Sequence, residues 1–231
     1  MNFNQPKIDV YKYPFFTISN VYLHIYTMDV PISTIRAWTV GQRNMKPIIK
    51  IAQRKPPLLS FVNLVEVYVL AAMRKKFEIS MQKIRVSLDY VRKELLMKSQ
   101  HPLAEYDFKT DGINLFLEHY GKLINLTNSG QIAMEIMEKY LTRIEYGYLG
   151  LPEKLYPFTT RDEERSMRVI TINPKICFGL PILDRIGTPV STIAERLWAG
   201  EASQKLIKEY DISQEEFDEA IRVGSLYRKA A

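Results

Sequence analysis

The stretch from Phe61 to about Lys76 limits the possible folds of this chain more than any other part of it. It is strongly apolar, and Ser60 stands before it where a hydroxyl caps a helix. The run falls short of the ~20 uninterrupted apolar residues that a membrane helix needs, and no other stretch reaches that length. A folded soluble protein is expected, in keeping with 46% apolar and 25% charged residues. At 231 residues, two small cores are expected rather than one. Met1 to Lys12 has no basic cluster followed by an apolar run, so export is not expected. The single cysteine, Cys177, excludes an internal disulfide and a cysteine-based zinc site, and a reducing compartment, the cytoplasm, fits.

Charge is unevenly placed. Residues 1–100 hold 16 Lys+Arg against 6 Asp+Glu, a net of +10, and residues 101–231 hold 16 against 20, a net of −4. Cations concentrated at the front suit a surface that neutralises phosphates, although many of them also solvate helix faces. Within that front, Thr17 to Leu23, then Thr27-Met28-Asp29-Val30-Pro31, then Ser33 to Trp38 read as helix, tight turn, helix. Ser33 is the expected N-cap of the second helix, with Ile35 and Trp38 facing inward against Val21. Thr34, Arg36 and Ala37 then point outward, where a helix-turn-helix reaches base edges in the major groove. Arg36 is the first candidate for a base or phosphate contact; the plain alternative is a surface arginine paired with a carboxylate.

After Gly41, Arg43 to Leu59 combines β-favouring residues, a basic middle and the double proline Pro56-Pro57, which forbids helix. A small β wing is expected, with Lys46, Lys50, Arg54 and Lys55 along it or at its tip, reaching phosphates together with Arg43. A solvated basic loop is the alternative. Beyond the apolar helix, Ser80 is expected to cap another, whose stripe Ile84, Leu88, Val91 and Leu95 forms either a seam within one domain or a dimer seam.

From Tyr106 the runs Tyr106–Thr110 and Ile113–Glu118, split by Asp111-Gly112, read as a β hairpin, with a further strand over Leu123–Leu126 and a helix from Gln131 to Ile144. Two glycines, two prolines and a polar run between Gly147 and Met167 read as a linker. A strand, Arg168 to Ile172, and a turn-rich segment to Pro181 then lead to three short helices. The first carries Val190, Ile193, Leu197 and Trp198, the second Leu206, Ile207 and Tyr210, and the third opens on the capping box Ser213 to Glu216 and buries Phe217, Ala220 and Ile221. The expected fold is therefore mainly α with small β elements. It comprises a winged helix-turn-helix over 1–100, a β meander and helix over 101–145, a linker over 146–167, and a strand with a three-helix bundle over 168–231.

Two segments resemble known families. Thr17 to Trp38 with the following wing looks like the winged helix-turn-helix of the MerR type. Asn173-Pro174 to Gly179-x-Pro181, Pro189-Val190-Ser191, Gly200-Glu201-Ala202-Ser203 and Tyr210 are similar to the short domain of unknown function in VapB-type antitoxins. That domain commonly has Gly-Thr directly after the strand that follows Gly-x-Pro. Here Asp184-Arg185-Ile186 intervenes, and Gly187-Thr188 comes just before Pro189. The resemblance implies an antitoxin that neutralises a PIN-like ribonuclease toxin and represses its own promoter as a homodimer on double-stranded DNA. Trp198, Tyr210 and Tyr227 are the candidate toxin contacts, since aromatics dominate interface energetics; internal packing of the same rings is the alternative.

An enzyme lacks parts here. His24, His101 and His119 are far apart in sequence, no phosphate loop or nucleophile elbow occurs, and Glu216 in the acidic run Glu215-Glu216-Asp218-Glu219 is better read as the capping partner of Ser213. No cofactor or metal is expected. The stronger rival is a stand-alone, MerR-like, ligand-responsive regulator, with an apolar effector pocket among Phe108, Leu115, Leu117 and Tyr120.

Overall fold

The computed structural model describes residues 9–42, 46–77, 81–95, 99–123 and 130–230. Arg43, the Ser80 cap and the run 124–126 fall outside the described residues, as does the side chain of Tyr120. The fold is mainly helical with small sheets. Helices α1 (Ile18–His24) and α2 (Ile32–Thr39) are followed by the hairpin of β1 (Gln53–Arg54) and β2 (Pro57–Leu58). Then come α3 (Phe61–Phe77), α4 (Met81–Glu94), α5 (Ile113–Leu123) and α6 (Gly130–Leu141). Strands β3 (Ile144–Tyr146), β4 (Pro152–Leu155), β5 (Ile170–Ile172), β6 (Pro181–Leu183) and β7 (Thr188–Pro189) lead to α7 (Val190–Trp198), α8 (Ser203–Tyr210) and α9 (Gln214–Ala230).

Helix α3 is the axis of the first core. Every residue from Phe61 to Met73 is buried, polar Asn63 and Glu66 included, as a helix apolar on nearly all sides requires. Ser60 caps it as expected: its Oγ accepts from the Asn63 amide (3.2 Å) and its own N–H donates to Asn63 Oδ1 (3.1 Å). The α4 stripe of Ile84, Leu88 and Val91 is buried with α5 packed on α4, so it is a seam within the chain and not a free dimer face.

The meander is displaced. Residues 106–123 are helical, with one wide π turn at Phe108–Gly112 running into α5. Gly112 does not have the positive φ of a hairpin turn. A Cβ there would lie 2.9 Å from the Phe108 ring and 3.3 Å from Val91, so the glycine serves close packing of this segment on α4. Buried Ile113, Phe116 and Leu117 have helical spacing. The sheet instead lies at 144–189: five antiparallel strands in the order β3-β4-β5-β6-β7, each beside its sequence neighbour. The expected linker supplies β4. Its glycines and prolines punctuate strands, Gly150 taking φ 70° in the β3–β4 turn. Leu155, Tyr156, Phe158 and Thr159 are all buried.

Two apolar clusters result. The first runs from Phe16 to Ile172, and the second joins Ile170 and Leu183 to α7, α8 and α9. Strand β5 supplies one isoleucine to each. Two further ties join rear to front: the Thr159 carbonyl accepts from both the Tyr26 hydroxyl and the Arg222 guanidinium, and Thr27 Oγ1 donates to the Phe158 carbonyl at 2.8 Å.

Candidate functional site

Helix α1 is capped by a reciprocal box: Thr17 Oγ1 accepts from the Asn20 amide (3.1 Å), and Asn20 Oδ1 accepts from the Thr17 amide (2.9 Å). A single 3-10 turn ends at Asp29 in left-handed backbone (φ 53°), and Pro31 (φ −58°) opens α2. Ser33 is therefore not the N-cap. It sits inside the first turn, because Pro31 already holds the φ from which a helix starts. Ile35, Trp38 and Val21 are buried together as expected, and the Trp38 indole donates to Met81 Sδ at 3.2 Å. Ser33 and Arg36 are exposed, with Thr34 and Ala37 half-buried beside them. Among the described residues Arg36 has no carboxylate partner, which leaves its guanidinium free for a ligand.

Ser33, Thr34, Ala37 and Gln42 line one wall of an open cleft of about 250 Å³, and Arg74, Met81 and Arg85 line the other. The two arginines were not singled out from sequence. Their signals were present: Arg74 opens the basic end of the apolar run, and Arg85 follows Ile84 on the side of α4 away from its buried stripe. The Arg85 guanidinium also donates to the Lys46 carbonyl, which holds that lysine's backbone next to the cleft.

The wing is a short hairpin, with exposed Arg54 and Lys55 at its turn and a cis Lys55-Pro56 bond. Lys46 and Lys50 are exposed but precede the hairpin. The wing's root is fixed by Asn63, whose Oδ1 accepts from Ala52 N–H (3.0 Å) and whose Nδ2 donates to the Lys50 carbonyl (2.9 Å). Glu66 in turn accepts from Asn63 Nδ2 (3.1 Å) and lies 3.0 Å from His101 Nδ1. Burial raises the Glu66 pKa, and His101 works in the other direction.

The rear aromatics do not form one patch. Trp198 and Tyr227 share a groove of about 470 Å³ between α7 and α9, with Glu195 and Arg228 at its sides. The Arg228 guanidinium lies 4.6 Å over the Trp198 ring. Gly224 lets the two helices touch, since a Cβ there would sit 2.6 Å from that of Ala194. The Tyr227 hydroxyl is committed within the chain, 2.5 Å from Nδ1 of buried His24, and so ties α9 to α1. Tyr210 stands apart at Arg196, which donates to its hydroxyl (3.0 Å) and clamps Glu201 with two bonds of 2.6 and 2.8 Å. Arg196, with help from Lys205, holds the Glu201 pKa at about 2. The Gly200-Glu201 motif thus closes the α7–α8 turn, with Gly200 at φ 97°. The shifted Gly187-Thr188 is absorbed by the β6–β7 turn: Gly187 takes φ 67° and donates to the Leu183 carbonyl at 2.8 Å.

The other candidates have structural neighbours. Phe108 and Leu117 belong to the first core and Leu115 packs against it, which fills the expected effector pocket. His119 stacks on Tyr90 at 4.3 Å. Among the described residues no three His, Cys, Asp or Glu side chains gather to hold a metal, and no helix is long and apolar enough to cross a membrane.

Residues 170–222, from β5 into α9, match a family described as a protein of unknown function, DUF433. Over 217 residues the chain is 26% identical to a Mycobacterium tuberculosis (strain ATCC 25618 / H37Rv) protein named "Putative antitoxin VapB45", covering 83% of this chain and 87% of that protein. The crystal structure of Rv2018 from Mycobacterium tuberculosis superimposes with a TM-score of 0.68 at 24% identity, over 90% of this chain and 98% of that one.

Proposed function

We propose that this chain is a cytoplasmic, non-enzymatic antitoxin of a toxin–antitoxin pair, reading double-stranded DNA of its own promoter through α2 and binding a PIN-like ribonuclease toxin through its rear helices. The observation that carries the reading is the similarity to VapB45 over 83% of this chain and 87% of that protein, which is far more than one short motif. The DNA face is supported by the exposed Ser33 and Arg36 on the second helix of a helix-turn-helix, with Arg74 and Arg85 beside them. A cation beside a reading helix anchors phosphates, and the reading helix itself discriminates bases. Arg54 and Lys55 extend the phosphate contacts from the hairpin turn. On the rear, Trp198 in the α7–α9 groove is the anchor. Tyr210 and Tyr227 contribute less, because their hydroxyls already serve Arg196 and His24.

The test uses the full chain. Arg36→Ala is expected to lower discrimination between promoter and random DNA in gel shifts, whereas Arg74→Ala with Arg85→Ala weakens binding to both and flattens the salt dependence. Trp198→Ala is expected to abolish rescue of cells expressing the cognate PIN-like ribonuclease toxin while leaving the gel shift intact. An unchanged specificity ratio in Arg36→Ala removes α2 as the reading helix, and full rescue by Trp198→Ala moves the toxin face elsewhere.

A further inference from the structure

Among the described residues, the three most exposed large apolar side chains, Tyr148, Leu149 and Phe178, stand on two neighbouring segments that meet at Lys175. Tyr148 and Leu149, at the tip of the β3–β4 turn, are 102% and 80% exposed. They border an open cleft of about 590 Å³ whose other walls are Val10, Tyr11, Leu151 and Lys175. Three residues beyond Lys175, Phe178 is 79% exposed, its ring 6.1 Å from that of Phe15, which lies 4.9 Å from half-exposed Tyr13.

Phe178 is held out by its backbone. Cys177, Phe178 and Gly179 all have positive φ, at 47°, 53° and 76°. Two consecutive non-glycine residues in that region are uncommon and strained. Gly179 is obligatory there, since a Cβ would come within 2.6 Å of the Phe16 ring. The loop is thus pinned to the first core at Gly179 and presents an aromatic ring to water.

We infer that this face, built from residues 10–15, 147–151 and 175–180, is where a second copy of the chain docks. Three observations favour a second copy. The α4 stripe, the other candidate seam, is consumed by α5. The two largely exposed rings alone offer roughly 300–400 Å² of apolar surface, a large share of the ~800 Å² per partner of a stable interface. The chain as a whole is +6, which opposes self-association, but the rim of this face is balanced. Asp9 pairs with Lys12 at 3.4 Å and Glu153 with Lys175 at 3.2 Å, so two identical rims meet across a two-fold axis without like-charge repulsion. The inference deepens the DNA-reading proposal by naming the contact that sets two copies of α2 on two half-sites.

Sedimentation of the full chain without DNA tests it. The wild type is expected to run at twice its 27.0 kDa at micromolar concentration. Leu149→Asp and Phe178→Asn are expected to raise the dimer dissociation constant by about tenfold or more with the helical content of the monomer retained by circular dichroism, asparagine being tolerant of the left-handed backbone. Val86→Asp, at an exposed position on α4, leaves the dimer intact. A monomeric wild type, variants as dimeric as the wild type, or dissociation by Val86→Asp overturns the inference. So does a monomer whose complex with the nuclease is lost in Leu149→Asp, which would assign the face to the toxin. A wild-type dimer that dissociates in the two variants but reads no DNA leaves this inference standing and removes the DNA reading.

Discussion

His24 shows how a single side chain ties stability to pH. It is 4% exposed, edge-on to Phe16 at 5.1 Å and bonded to Tyr227, and burial lowers its pKa from 6.5 to about 3. Below pH 6.5 the unfolded chain takes up a proton that the folded chain refuses, so this group lowers stability as pH falls and its contribution levels off near pH 3. The slope is up to about 1.4 kcal/mol per pH unit. Replacing His24 with Phe is expected to flatten the urea stability profile between pH 6 and pH 4 by up to about that slope, at a cost of about 1 kcal/mol at pH 7 for the lost Tyr227 bond. An unchanged acid slope in the variant would show that His24 titrates normally in the folded chain. The sequence offered no sign of this role, because the partner stands 203 residues away.

At the scale of elements, what was legible depended on whether the signal was local. The Ser60 cap, the Ser213–Glu216 box, the two short front helices α1 and α2 with a tight turn between them, and the three rear helices rest on neighbours within a few residues, and all are present. Asp111-Gly112 misled because a glycine that permits a turn and one that permits close packing look identical in sequence. Gly112→Ala separates the two. It is expected to destabilise the chain by about 1–3 kcal/mol through overpacking against Phe108, measured by urea denaturation, whereas a solvent-facing turn would tolerate the methyl group. The site was legible to the same extent. The outward face of α2 followed from helical spacing, but Arg74 and Arg85 reach the same cleft only through the packing of α3 and α4. Tyr227 read as a spare aromatic because its partner lies on α1.

Across the whole molecule, the front cannot be cut from the rear along the stretch first read as a linker. Leu155, Phe158 and Ile172 lie in the first core, so residues 1–144 lack part of their own interior. Fully burying such a side chain stabilises by about 1.5–3 kcal/mol, and three of them approach the ~5–15 kcal/mol that holds a domain folded. Calorimetry is expected to show one cooperative transition for the full chain and none for 1–144; a sharp transition in that fragment would mean that the front folds alone. The matched unit of residues 170–222 has the converse problem, because it begins inside a sheet. Its first strand, β5, has β6 on one side and is covered on the other only by Leu155 of β4, which pairs with Ile172. Wherever such a unit stands without a β4, its opening strand is an edge with unpaired N–H and C=O groups, a template for any extended segment that meets it.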